Sequence, residues 1–294
     1  MMPENRLLRV LTALATEPWL LPAPAHKLLT QIAMNHAAGG AVEAEQHAAA
    51  VRVGERPQKR EYAIVNEVAV IPLEGYVGRK FSSALYSSGV TSIDVFQRLV
   101  DTAALDDQIR AIVLSVDSPG GLCMGTPEAA AAVVAANGQK PVVAYADGLM
   151  CSAAYWLAAG AAEIVATPSA EVGSIGCYMA ILDQSRAAEL AGLHVQLFTS
   201  GKFKGMGLPG TSLTREQEDL LQANVDRIAN DFKGAVRAGR GQIADDTMQG
   251  QAFSVPAAIA AGLVDSAGTM DDAMSTALAL ANGRKQNKGQ GVQK

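Results

Sequence analysis

Apolar residues recur along this chain in two periods. Continuous apolar, largely β-branched runs appear at VAVIPLEG (68–75), IRAIVLSV (109–116), PVVAYA (141–146) and, more briefly, EIVA (163–166). Such runs leave no polar face and predict strands covered on both sides. Between and after them come stretches with helical spacing: SIDVFQRLVDTAA (92–104), TPEAAAAVVAA (126–136), residues 150–161, LDQSRAAELAG (182–192) and the long TREQEDLLQANVDRIANDFKGAVRAGRG (214–241). Shorter helices are expected near 256–261 and 270–281. Ser92 stands as an N-cap, with Asp94 in the first turn. HVQLFT (194–199) reads as one further strand. Strands alternating with helices imply parallel β-α units and an α/β fold.

The ends read differently. Residues 1–36 pattern as two short amphipathic helices separated by EPWLLPAPA, a helical N-terminal extension. Residues 37–60 are small, polar and closed by proline, as expected of a linker. The compact pattern fills 61–282. The tail GRKQNKGQGVQK (283–294) is basic and glycine-rich and is expected to lack structure.

Composition narrows the classes. The 294 residues carry a net charge of −5, which gives no reason to expect a nucleic-acid partner. An apolar fraction of 49% with 18% charged residues suits a soluble globular protein. The apolar N-terminal stretch is interrupted by Arg9, Glu17 and Pro18, so neither a signal peptide nor a membrane span is expected. Cys123, Cys151 and Cys177 have no metal-ligand spacing, and an odd count argues against a disulfide framework. The expectation is a cytoplasmic protein without metal or cofactor.

The chemistry centres on serine and lysine. Ser152 lies in DGLMCSAAYW (147–156), where a strand gives way to an apolar helix. A serine becomes a nucleophile when a neighbouring base takes its proton. Of the four histidines only His194 lies outside the N-terminal region, so a lysine is the economical base. SGKFKG (200–205) offers Lys202 and Lys204, and spacing alone does not choose between them. Such a lysine must be neutral, which desolvation favours. VDSPGG (116–121) follows a buried strand, and a backbone N–H at Gly120 or Gly121 can hold an oxyanion, with the N–H of Ala153 as a second donor. Ser174, between glycines in EVGSIG (171–176), can orient the base or simply make a turn. Cys151 is the rival nucleophile, or a small buried apolar residue.

Together these segments resemble the signal peptide peptidase A family of serine proteases, and within it the phage capsid (prohead) maturation proteases. VDSPGG is similar to the family's D-[ST]-P-G-G element, MCSAAYW to its nucleophile motif, EVGSIG to G-S-I-G, and SGKFKG to S-G-x-x-K. GQAFSVPAAIAAGLVDSAG is similar to its closing motif, and the likeness covers roughly 62–282. The resemblance implies Ser152 as nucleophile, Lys204 rather than Lys202 as general base, Ser174 as the residue that orients the lysine, and Gly121 and Ala153 as oxyanion donors. It also implies a ClpP/crotonase-like spiral of β-β-α units and a homo-oligomeric ring. The expected substrates are peptides or proteins, such as scaffold, capsid or portal proteins, in the host cytoplasm or inside the procapsid. The pre-core segment EPWLLPAPAHKLL favours the phage branch. A cellular signal peptide peptidase-like enzyme is the first rival, and an inactive capsid-assembly protein the second. The third, a crotonase-type acyl-CoA enzyme, would need no Ser-Lys pair.

Overall fold

The run IVLSV has a single short polar side chain, Ser115, and apolar residues on both faces, so its strand is expected to be covered on both. The computed structural model describes residues 18–20, 62–79 and 90–290, and it covers the strand in this way. β5 (Ala111–Leu122) lies between β3 (Val68–Gly78) and β6 (Val142–Cys151), parallel to both. β7 (Glu163–Ala166) and then β10 (Ser266–Ala267) extend the parallel sheet beyond β6, and β2 (Ala63–Val65) ends it antiparallel to β3. The result is a mixed α/β fold with a largely parallel sheet, as expected.

Alternation along β5 sends its residues to two cores. Ile112, Leu114 and Val116 join the larger one, with residues of α1 (Ile93–Leu105), α2 (Thr126–Gln139) and α3 (Ala153–Ala158). Ala111 and Val113 turn the other way, and with Val143, Tyr145 and Val165 they meet Ala273, Ala277 and Ala281 of α7 (Met270–Gln290). The small side chains of α7 let its backbone come close to the sheet. Ser92 occupies the N-cap position of α1, but its side chain makes no capping hydrogen bond.

Three expectations need correction. Residues 194–199 form no strand; they are exposed along their whole length and have no neighbouring strand to pair with. VDSPGG does not leave the sheet as a turn. β5 runs through it to Leu122, with register shifts opposite Glu74–Tyr76 of β3 and between Val116 and Ser118 against β6. The tail begins as helix rather than coil, since α7 continues to Gln290. Arg284 anchors it by donating from Nη1 to the Asn137 carbonyl at 2.5 Å and from Nη2 to Asn137 Oδ1 at 3.2 Å.

Most of the expected N-terminal extension and linker lies outside the described residues. The exception is β1 (Trp19–Leu20), which pairs antiparallel with the end of β5 and therefore belongs to the sheet.

A second region stands apart from the core. From Gly176 to Asp231 no residue is buried, and this stretch includes α4 (Ser185–Leu190) and more than half of α5 (Arg215–Arg240). α5 starts at a capping box, in which Thr214 and Gln217 each bond the other's backbone N–H. It reaches the core only near its C-terminal end, where Phe232 stacks on Trp156 of α3 with ring centroids 4.7 Å apart. We call residues 176–231 the arm.

Candidate active site

In an open parallel sheet, the ends of the strands are where backbone groups become free to meet a ligand. Here β5, β6 and β8 (Glu171–Gly173) end together, because β6 pairs parallel with β5 on one side and with β8 on the other. Cys151 lies opposite Gly173, so Ser152 and Ser174 are the next residues on two adjacent strands. The Ser152 N–H donates to the Gly173 carbonyl at 2.7 Å and locks the two ends together.

Ser152 joins β6 to α3 in a conformation that L-residues rarely adopt, with φ 55° and ψ −119°. A strained turn from strand to helix exposes a nucleophile's hydroxyl at the top of a sheet while its backbone stays fixed. Burial holds the strain in place: Ser152 is only 1% exposed, and every residue of α3 is buried. The Ser152 side chain makes no capping bond, which leaves its hydroxyl uncommitted to the helix. Ala153 heads α3, so its N–H has no acceptor within the helix. Ser174 is also left-handed, at φ 52°, and is buried; its N–H donates to the Gln251 carbonyl at 2.8 Å.

The double glycine is required by close approach. Gly120 has φ 106°, and a Cβ there would strike the Leu20 carbonyl oxygen and stand 2.9 Å from both the Ala153 nitrogen and Ser152 Cβ. A Cβ on Gly121 would strike the Val77 carbonyl. Gly120 therefore lies against Ser152 and Ala153, and Gly121 against Val77. The Gly120 N–H is taken, since it donates to Ser118 Oγ at 3.1 Å.

Two residues of VDSPGG that sequence reasoning left unassigned hold this geometry. Ser118, fully buried, donates from Oγ to the Gly75 carbonyl at 2.5 Å while accepting from Gly120. Asp117 Oδ1 accepts the Leu149 N–H at 2.9 Å and so ties the end of β5 to the DGLMCS segment. Their signal was present as two hydrogen-bonding side chains just before the glycines.

Cys151 does not fit the nucleophile's role. Burial, and secondarily the nearby Glu171 carboxylate, push its thiol up to about 12, so it stays protonated at neutral pH. Cys123 and Cys177 bring their sulfurs to 3.6 Å, which their sequence spacing does not reveal.

Lys204 is set apart from the buried serine by its exposure. It lies exposed in the arm, and no hydrogen bond or ion pair joins it to Ser152 among the described residues. Lys202 is also exposed and pairs with Glu216 at 3.0 Å. His194 lies exposed in the arm too, away from the strand ends.

The chain is 31% identical over 231 residues to the capsid assembly protease C of Escherichia phage lambda, covering 78% of this chain and 52% of that protein. It is 31% identical over 224 residues to the head-tail preconnector protein GP5 of Enterobacteria phage P21, covering 76% of this chain and 44% of that one. Protease 4 of Salmonella typhi is 32% identical over 183 residues, 61% of this chain and 29% of that protein. The chain thus spans about half the length of the phage relatives it matches. Among solved structures, an enoyl-CoA hydratase/isomerase from Marinobacter aquaeolei aligns over 76% of this chain and 75% of that one, with TM-score 0.43 and 14% identity, a likeness too loose to bear on chemistry. Residues 135–284, which hold Ser152, Ser174 and Lys204, match the model of peptidase family S49, and the chain belongs to that family.

Proposed function

We propose that the protein is a serine endopeptidase with a Ser-Lys dyad that processes proteins of the phage head during procapsid assembly. The observation that carries the reading is the meeting of a strained, buried serine with the Ala153 and Gly121 N–H groups at adjacent strand ends. Those donors suit an oxyanion, and each such donor lowers the barrier by roughly 3–4 kcal/mol. The phage relatives supply the context, since one is named a capsid assembly protease. Among the described residues no helix is long and apolar enough to cross a membrane.

The steps follow from the groups present. Lys204, neutral once desolvated, takes the Ser152 proton as Oγ adds to the peptide carbonyl carbon. The carbonyl oxygen becomes an oxyanion between the Gly121 and Ala153 N–H groups. Collapse breaks the C–N bond, and the proton passes from the lysine to the departing amine. Water, deprotonated by the same lysine, then releases the acyl group. Ser174, one residue past the bond that ties β8 to Ser152, orients the lysine amine.

The exposed arm that carries Lys204 supports delivery of the lysine by another copy. It exposes Phe198 (84%), Leu190 (81%), Leu182 (76%) and Leu193 (65%), an apolar surface of the kind that marks a protein interface. In our reading the arm docks on a second copy of this chain and delivers Lys204 to that copy's Ser152. Repeated head to tail, such a contact closes a ring.

A fluorophosphonate probe tests the dyad. Wild type should take one adduct by intact mass, and Ser152→Ala and Lys204→Ala should take none. A persistent adduct in Ser152→Ala sinks the assignment.

A further inference from the structure

The described part of the N-terminal segment does not lie beside the sheet at random. It occupies a slot between two backbones. On one side the Trp19 N–H donates to the Tyr178 carbonyl at 2.8 Å, and the Trp19 carbonyl accepts the Tyr178 N–H at 3.1 Å. On the other side Trp19 and Leu20 pair antiparallel with Leu122 and Gly121, and the Cys123 N–H points to the Pro18 carbonyl at 3.5 Å. Trp19 is 1% exposed and Leu20 is fully buried. Three residues are thus held as an extended strand with partners on both edges, which is how a peptide is bound by strand addition.

Register fixes what the strand presents. Backbone groups of successive residues in an antiparallel strand point to opposite edges. Trp19 faces Tyr178, so Pro18 and Leu20 face β5, and the Leu20 carbonyl points to the N–H of Gly121 across from it. The same carbonyl oxygen is what a Cβ on Gly120 would strike, and that Cβ would also stand 2.9 Å from the Ala153 nitrogen and from Ser152 Cβ. Leu20 therefore brings its carbonyl oxygen to the Gly121 N–H, and Gly120, which that oxygen closely approaches, also lies against the Ala153 nitrogen and Ser152 Cβ.

We infer that Pro18–Leu20 occupies the acyl side of the substrate track, and that the bond between Leu20 and Leu21 is itself a substrate of Ser152. This rests on the peptidase reading and deepens it by naming the class of substrate: an extended segment with an aromatic residue followed by leucine ahead of the bond that breaks. Ser152 Oγ adds to the Leu20 carbonyl carbon, and its proton passes to the lysine. The C–N bond to Leu21 breaks, and the proton moves to the Leu21 nitrogen, which leaves as a new amino terminus. Water then hydrolyses the Leu20 ester, restoring the serine and freeing residues 1–20 with a carboxylate at Leu20.

The test uses the full chain and its assembled form. Purified wild type is followed by intact mass and N-terminal sequencing beside Ser152→Ala, and each is titrated with the fluorophosphonate. A peptide with the sequence of residues 17–25, EPWLLPAPA, is then offered to the same wild-type protein. The expected result is a new terminus at Leu21 in wild type, none in Ser152→Ala, and cleavage of the peptide between its two leucines. A peptide with aspartate in place of the first leucine should be cut at least about tenfold more slowly, because a carboxylate would be buried unpaired. Using a peptide keeps this comparison free of any folding defect. A wild type that takes the probe at Ser152 but keeps its terminus and leaves the peptide whole overturns the inference while the peptidase stands. A peptide that blocks the probe without being cut overturns it too, leaving a strand that only inhibits. Failure of the probe to react at all removes both.

Discussion

The strand-end cleft and the arm are built on opposite principles. In the cleft the serine is enclosed: α3 has no exposed residue, Ser118 is fully buried, and Ser152 is held at φ 55° by its surroundings. In the arm no residue from 176 to 231 is buried, although the segment carries leucines and phenylalanines. The first region is completed by its own chain and can therefore store backbone strain. The second has apolar surface and no core of its own to hide it in. If Ser152 is the nucleophile and Lys204 the base, as proposed, the site is finished by association.

The largest effects should come from breaking the two halves separately. Ser152→Ala and Lys204→Ala should each lower peptide hydrolysis on the order of 1,000-fold or more, with little further loss in the double variant, because such residues act as a unit. Steady-state kinetics of the three variants checks this. Additive losses would mean that the two do not share a step.

Next is a change confined to the buried side. Phe232→Ala removes the ring stacked on Trp156, behind the helix that Ser152 heads, and should cost about 3–5 kcal/mol of stability by denaturant unfolding. The matching change on the arm should do the reverse. Phe198→Glu should move stability by no more than about 0.5 kcal/mol, since the side chain is 84% exposed. It should nonetheless dissociate the assembly in sedimentation and suppress probe labelling at low protein concentration. A stability loss for Phe198→Glu as large as that for Phe232→Ala would erase the distinction between the regions.

The smallest effect concerns acid. The Thr269 N–H and hydroxyl both donate to Asp272 at 2.8 Å, and the backbone bond foremost holds this carboxyl below its usual value of 3.8. A depressed folded pKa contributes stability above the unfolded value, and that contribution is lost as pH falls through the folded one. Asp272→Asn should therefore be less stable than wild type at neutral pH, and the gap should close below about pH 4. Paired denaturant titrations at several pH values check it.

The sequence carried the buried region well and the exposed one poorly, for one physical reason. Apolar periodicity records burial within the chain, so β7 and α1 fell close to their expected bounds, while β5 and β6 began near theirs and ran on to Leu122 and Cys151. HVQLFT has the composition of a strand but no neighbouring strand, and composition cannot reveal a missing partner. The exposure of the Lys204 segment was likewise not legible, since motif order says nothing about burial. VDSPGG was expected to follow the strand at 109–116; register shifts let the strand continue through it instead. WLL between prolines in EPWLLPAPA was seen as a separator of helices. Its role as a strand against Gly121 depends on a pairing about one hundred residues distant, which local pattern does not encode.

The most direct test of the central claim is to mix two inactive proteins. Ser152→Ala retains the lysine and Lys204→Ala retains the serine. Dissociated, combined in equal amounts and reassembled, they should regain about a quarter of wild-type probe labelling if each site draws its serine and lysine from neighbouring copies. All of the label should fall on the Lys204→Ala chain. A mixture that assembles yet stays unlabelled, beside a wild type that reacts fully, would contradict the shared site.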